Sequence, residues 1–368
     1  MRKSAALLLI LAFLLTGCAG RQMEEELLVI VLAVDEQDGW TRLAVKAPAA
    51  ATPDEEQKGY LTLEASGRSL AEAVVLLNAS TPRKLNFSQV REIVLGIEAC
   101  QSAAFPALLR QINALPRIRR AARLIVCNGS ACALAAQQKP YMGLRLSRYA
   151  DDTLADSASK GFTPDTTLAE TLRDLGGGLR DPLLILGAVN DFSNASPAQS
   201  PVLRADAGNM ARKSADPIDL FGAAVTDGAA VTGTLNGEEM ALLHLLTGAG
   251  HSYTANLTGQ PATLYARTAA TLTVDLTARP IRLGVQLLCD VRGYPSEPPD
   301  LNSLENQIGG EIRTLIQKLQ GLDSDALGFG DLAVRRFWTI GAWESLNFKG
   351  LYREAAIDIR LSLRLLAP

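Results

Sequence analysis

The sequence predicts a multi-domain α+β protein whose C-terminal domain is an antiparallel sheet packed on one long helix. Three observations predict it. Setting aside a leader of 17 residues leaves 351 of 368 (368 − 17), enough for two or three domains. In the first half, short apolar runs alternate with segments of helical period. In the last third, apolar and polar residues alternate at period two on both sides of one amphipathic helix. Aromatic residues make up only 5% of the chain against 48% hydrophobic, so the cores should be built from Leu, Val, Ala and Ile.

The elements follow in order. Arg2 and Lys3, an apolar run from Ala5 to Leu15 and then small residues form an export signal over 1–17. The run is too short to span a bilayer, which takes about 20 apolar residues. Leu15-Thr16-Gly17-Cys18 resembles the bacterial lipobox. That likeness implies a diacylglyceryl group on the Cys18 thiol, cleavage before it and acylation of the new amino end. More than one acyl chain suffices for stable anchoring.

Residues 18–190 read as an N-terminal mixed α/β domain. "LLVIVLAVDEQDGWTRLAVKA" is two strands around a turn at Asp38-Gly39. "SGRSLAEAVVLLNAS" is a helix, with Ser69 as cap, Glu72 as its capping-box partner, and Leu70, Val74 and Leu77 on one face. "REIVLGI" is a strand, "AFPALLRQINALP" a helix stopped by Pro116, "ARLIVCNG" a strand and "ACALAAQQ" a helix. A more polar stretch, 151–182, precedes the strand "PLLILGAVND".

Residues 191–217, rich in Ser, Ala, Asn and Pro, read as a linker or long loop. A middle region, 218–255, is a hairpin turning at Asp227-Gly228 and a short helix starting with Glu238-Glu239. The C-terminal domain is 256–368. Leu272, Val274, Leu276 and then Ile281, Leu283, Val285, Leu287 mark strand faces. Leu304, Ile308, Ile312, Leu315, Ile316 and Leu319 form the helical stripe, which Gly309-Gly310 should loosen or break. Ile357, Ile359, Leu361, Leu363 and Leu365 mark a half-buried antiparallel strand.

The net charge of −3 excludes a global field for nucleic acid. Gly-x-Ser-x-Gly, a P-loop and His-Glu-x-x-His are all absent, so no catalytic residue is assigned. His244 lies in an apolar helix and reads as a neutral boundary histidine; His251 reads as exposed. Besides Cys18 there are Cys100, Cys127, Cys132 and Cys289. "CNGSAC" places Cys127 and Cys132 close enough for a disulfide, with buried free thiols the equal alternative. The two histidines lie too far away in sequence for a zinc site, so no metal is expected. Arg117, Arg119, Arg120 and Arg123 form a basic cluster that reads as a solvated turn, with contact to lipid phosphates or an acidic partner surface the alternative. Arg335-Arg336 beside Phe337-Trp338 suits a protein contact or a membrane interface, unless both aromatics pack inward. Gly328 and Gly330 should turn the chain sharply and pin Phe329 into the core.

Four stretches taken together carry a family resemblance. They are the lipobox with "EEELLVIVLAVDEQDGW", "STPRKLNFSQVREIVLGIEAC", "GAAVTDGAAVTGTLNGEEMALLHLL", and "DALGFGDLAVRRF" behind the long helix. In this order the chain resembles the Ger(x)C, or GerAC-like, C-subunit lipoproteins of bacterial spore germinant receptors. The resemblance implies three domains on the outer face of the spore's inner membrane. It implies integral-membrane A and B subunits as partners. It implies no catalytic activity and no cofactor beyond the covalent lipid on Cys18. The alternative is the substrate-binding lipoprotein of a transporter, which the antiparallel last third disfavours.

Overall fold

The structure, a computed structural model, describes residues 25–49, 59–190, 205–248, 251–257, 260–292 and 299–366. The export signal, Cys18 and the first half of the expected linker lie outside the described residues.

The first domain is built on a mixed sheet. Its strands are β2 (Val31–Gln37), β3 (Trp40–Pro48), β4 (Tyr60–Gly67), β6 (Glu92–Gly96), β7 (Arg123–Cys127), β8 (Leu183–Val189), β9 (Ile218–Thr226) and β10 (Val231–Leu235). They lie in the order β10-β9-β8-β7-β6-β2-β3-β4. A short parallel pair, β1 (Glu26–Leu28) with β5 (Lys84–Asn86), sits apart. The four central strands, β2, β6, β7 and β8, are parallel to one another. Such strands are covered on both faces and read as continuous apolar runs, and every residue of "EIVLG" in β6 is buried. One face is covered by the helices Leu70–Ser80, Phe105–Asn113 and Leu168–Gly177, the other by Ala131–Gln137 and Leu146–Ser159.

Local signals act as their chemistry dictates. Asp38 and Gly39 both take positive φ, +52° and +73°, the two-residue turn that suits a hairpin's twist. The expected capping box forms only by half: Ser69 Oγ accepts the Glu72 N–H at 3.2 Å, but the Glu72 carboxylate accepts the N–H of Arg68, one residue before the cap, at 2.6 Å. The polar stretch 151–182 is largely helical. Its second helix opens on a capping box, in which Thr167 Oγ1 accepts the Glu170 N–H and Glu170 accepts the Thr167 N–H.

The first domain does not close at residue 190. The β9–β10 hairpin returns across the loop and pairs with β8, so the expected middle region supplies this sheet's last two strands. The helix that follows, Gly237–Thr247, turns the other way. Met240, Leu242, Leu243, Leu245 and Leu246 share one core with Leu183, Val225 and Leu235 of the first sheet and with the C-terminal strands. The apolar core therefore runs unbroken through the junction.

The C-terminal sheet holds β11 (Ser252–Leu257), β12 (Gln260–Ala266), β13 (Thr271–Asp275), β14 (Arg282–Arg292) and β15 (Ala356–Leu365). The first three are antiparallel to their neighbours. β15 corrects the expectation of an antiparallel last strand: it runs parallel to β14 along ten residue pairs, Arg282↔Ala356 to Val291↔Leu365. The cause is the connection. The Leu301–Gly321 helix and the short helices behind it form a crossover that brings the chain back to the end where β14 began. Alternation shows which face of a strand is buried, not its direction. The long helix also runs through Gly309-Gly310 without a break.

Beneath the first sheet lies a buried polar network. Lys46 Nζ donates to the Ala135 and Gln138 carbonyls at 2.7 and 2.5 Å, and Gln138 Nε2 donates to Glu92 at 2.9 Å. Burial pushes Glu92 up to about 7 from 4.5. The folded protein then holds that proton more tightly than the unfolded chain. This group's contribution to stability therefore falls as pH rises from about 4.5 through about 7. Glu92→Gln is expected to be more stable than the parent at pH 8, by up to about 3 kcal/mol. The difference should close toward pH 5, as urea unfolding at the two pH values will read.

Candidate functional site

Behind the long helix, "DALGFGD" forms a clasp between the two domains. The Asp325 carboxylate accepts three successive backbone N–H groups, from Gly328 at 3.1 Å, Phe329 at 2.9 Å and Gly330 at 2.6 Å. Gly328 sits at φ +80°, a conformation suited to glycine. The turn drives Phe329 to full burial beside Tyr352, with ring centroids 6.3 Å apart. From the first domain, Asp181 accepts the Asp325 N–H at 2.8 Å and its own N–H reaches the Asp325 carbonyl at 3.3 Å. Arg180 donates to the Ala326 carbonyl at 3.0 Å. Lys349 Nζ lies 3.5 Å from the Asp181 carboxylate and donates to the Asp227 carbonyl in the β9–β10 turn. Burial pushes Asp325 up to about 6, against the pull of its N–H donors, and the neighbouring Asp181 charge adds to the rise.

The clasp carries a projecting tip. Helix Phe329–Ala333 and a 3₁₀ turn, Val334–Arg336, lead to Phe337, which packs edge-on against Trp343 at 5.7 Å. Trp343 in turn stacks on buried Phe348. Thr339 caps the Ile340–Leu346 helix, its hydroxyl accepting the Ala342 N–H at 3.2 Å. Between these two fixed points Trp338 points away from the protein. It is 101% exposed, and Ile340 is 76% exposed. Arg335 and Arg336 are exposed beside them.

A third feature lies at the other end of the molecule's logic, in the first sheet. A cleft of about 490 Å³ opens at the carboxyl ends of β2 and β6. From β2 the chain turns toward β3 on one side, and from β6 it moves to β7 on the other. A crevice at such a reversal is where open α/β sheets bind ligands. Glu36, Trp40, Arg42, Glu98 and Ser130 line it together with Asp35. Asp35 is fully engaged at its base. It accepts from Ser130 Oγ at 2.6 Å, Ala131 N–H at 2.7 Å and Cys132 N–H at 3.0 Å.

The comparisons with known proteins also divide the chain in two, but they group the β9–β10 hairpin with the C-terminal part. A family model described as "Spore germination protein N-terminal domain" matches residues 20–187, and one described as "Spore germination B3/GerAC like, C-terminal" matches residues 221–366. The chain belongs to the GerAC-like spore germination family. The crystal structure of the GerBC protein shares the fold, with a TM-score of 0.55 at 12% identity over 91% of this chain and 97% of that one. No curated protein matches the chain.

Within this GerAC-like chain the sequence-derived residues are placed as follows. Cys18 lies outside the described residues. Cys127 and Cys132 are both buried free thiols. Cys127 Sγ faces the Ser130 carbonyl at 3.4 Å, whereas Cys132 Sγ faces the Arg42 carbonyl at 3.6 Å on another strand. Burial pushes the Cys127 thiol up to about 12, so it stays protonated and unreactive at neutral pH. Arg335, Arg336 and Trp338 are brought together at the tip, with Phe337 turned inward and Trp338 outward. In the other basic cluster, Arg117 pairs with Glu26 and Arg123 with Asp165. His251 is not simply exposed. It stacks on His244 at 3.5 Å and its Nδ1 lies 2.6 Å from the His244 carbonyl. Burial depresses His244 to about 4, so it is neutral at pH 7. Glu239 completes a capping box with Asn236 and pairs with Lys318 at 2.7 Å. Among the described residues no group of three or more His, Cys, Asp or Glu is placed to hold a metal ion.

Sequence reasoning passed over Asp35, Asp181, Asp325 and Ile340. The first had a signal, an Asp ending an apolar strand before an Asp-Gly turn. Asp325 also had one, an acidic residue three before a glycine turn, where a carboxylate can collect loop N–H groups.

Proposed function

We propose that this chain is the lipid-anchored C subunit of a spore germinant receptor, needed for nutrient-triggered germination. One observation carries the reading: both germination-family matches run in order, over 20–187 and 221–366, directly behind Leu15-Thr16-Gly17-Cys18. No helix among the described residues is long and apolar enough to cross a membrane, so attachment would rest on the acyl chains of Cys18. The chain would sit on the outer face of the spore's inner membrane and assemble with integral-membrane A and B subunits. Its role is non-enzymatic. Confinement to the membrane raises its effective concentration near those partners, so modest contacts suffice for assembly.

Cys18→Ala tests this. The variant is expected to leave the membrane fraction for the soluble fraction and to reduce the germination response. Unchanged membrane location and unchanged germination would sink the proposal. So would purified membranes in which the protein associates with no A- or B-type subunit.

A further inference from the structure

We infer that the Trp338–Ile340 tip is a second membrane contact, which inserts into the interface of a bilayer rich in anionic phospholipid. The inference rests on the proposed anchoring at Cys18 and specifies how the C-terminal domain meets the same surface.

The tip is built to stay exposed. Phe337 is held by Trp343, and Thr339 is held as a helix cap, so Trp338 between them has no route inward. A fully exposed Trp and a largely exposed Ile, two residues apart, carry an apolar cost in water that no other described residue relieves. From Arg335 to Gly341 the sequence holds two arginines and no carboxylate. Neither arginine makes a hydrogen bond or ion pair among the described residues. The charge facing Arg336 from the adjoining β13 end is Asp275, whose carboxyl is held low mainly by the Thr277 hydroxyl and only in small part by Arg336. Glu344, one turn further along the helix, lines the interdomain cleft beside Lys349.

Two arguments select lipid over a protein partner. The first is size. A Trp buries about 150–250 Å², whereas each side of a specific protein interface needs about 800 Å². Trp338 and Ile340 fall far short of that, but they suffice as a wedge for a chain already tethered. The second is composition and proximity. An aromatic ring at headgroup depth with cationic side chains beside it matches the membrane interface. From Cys18 to Glu25 the tether is seven residues, a reach of roughly 25 Å at about 3.3–3.6 Å per residue. An anchored chain therefore keeps its folded domains close to the bilayer.

The test uses the full-length lipidated protein, reconstituted in vesicles of phosphatidylcholine with or without one-third phosphatidylglycerol. The chain has three tryptophans, Trp40, Trp338 and Trp343, so Trp40→Phe with Trp343→Phe leaves Trp338 as sole reporter. On anionic vesicles its emission should shift to the blue, and lipids brominated on their acyl chains should quench it at least twofold. Arg335→Gln with Arg336→Gln should weaken engagement about fivefold per arginine. Trp338→Ala in the otherwise native chain should remove most of the bromolipid quenching while leaving the unfolding midpoint unchanged, since the ring packs on nothing. Protein that floats with the vesicles but keeps Trp338 as open to acrylamide as in solution overturns the inference and leaves the anchor standing. So does a Trp338→Ala variant that shows no loss of lipid quenching. Protein that does not float at all refutes the anchor, and this inference with it.

Discussion

Replacing Asp325 with Ala is expected to destabilise the protein by on the order of 3–4 kcal/mol at pH 5, among the largest effects of any polar substitution in the chain. The Asp325 carboxylate is the acceptor for the N–H groups of Gly328, Phe329 and Gly330, and all three residues are buried. An unmet buried N–H costs about 1–3 kcal/mol, and the three losses overlap because the loop can relax as a unit. The pH dependence gives the prediction its signature. Asp325 is raised to about 6 from 3.8 by burial, so the folded state binds that proton more tightly. The wild type therefore loses stability from this group as pH rises through about 6, and the Ala variant does not. The gap between them should narrow by about 1 kcal/mol between pH 5 and pH 8. Urea unfolding at both pH values will read it. A gap that widens with pH would mean that the N–H groups of Gly328, Phe329 and Gly330, rather than burial, govern the carboxylate. Asp325→Asn keeps one oxygen acceptor and should fall between the two. Because the clasp also holds the tip, Asp325→Ala should expose the Arg335-Arg336 bonds to trypsin before the rest of the chain.

What the sequence made readable is what depends on near neighbours. The Asp38-Gly39 turn, the Ser69 cap and the burial of Phe329 behind Gly328 are each settled within a few residues. So is the stripe of the long helix, and Gly309-Gly310 does not break it because both ends of the helix are packed into one core by Leu304, Ile308, Ile312 and Leu315. What stayed hidden depends on distant pairing. β9 joins β8 from beyond a long loop, and no local pattern names that partner. β15 alternates as an antiparallel strand would, yet the crossover makes it parallel. Asp181 and Asp325 meet across 144 residues. At the tip, sequence left Phe337 and Trp338 turning together. They part because Phe337 finds Trp343 and Phe348 beneath it, six to eleven residues further along the chain.

Gly96→Ala should cost about as much as removing Asp35 altogether, and the two losses should not add. Gly96 has φ −62° and ψ 142°, values any residue adopts, so backbone freedom does not demand a glycine there. Space does. A methyl group at Gly96 would press into Asp35 Oδ1, the oxygen that accepts the Ala131 N–H. Asp35 in turn holds the start of the Ala131–Gln137 helix, whose residues Ala131 and Cys132 are fully buried. Displacing its carboxylate strands their N–H groups and the Ser130 hydroxyl, at a cost on the order of 2–3 kcal/mol. Asp35→Ala removes the same acceptor by another route. In the Asp35→Ala background the Gly96→Ala change should then cost under about 0.5 kcal/mol, a coupling of about 2 kcal/mol in a double-mutant cycle. Additive losses would show that Gly96 makes room for something other than Asp35. The cycle also bears on the cleft above. If Asp35 is committed to the helix start, it cannot also serve a ligand. Any ligand entering at the reversal between β2 and β6 must then be met by Glu36, Glu98 and the Trp40 ring, and Asp35→Ala would alter its binding only through the position of the helix.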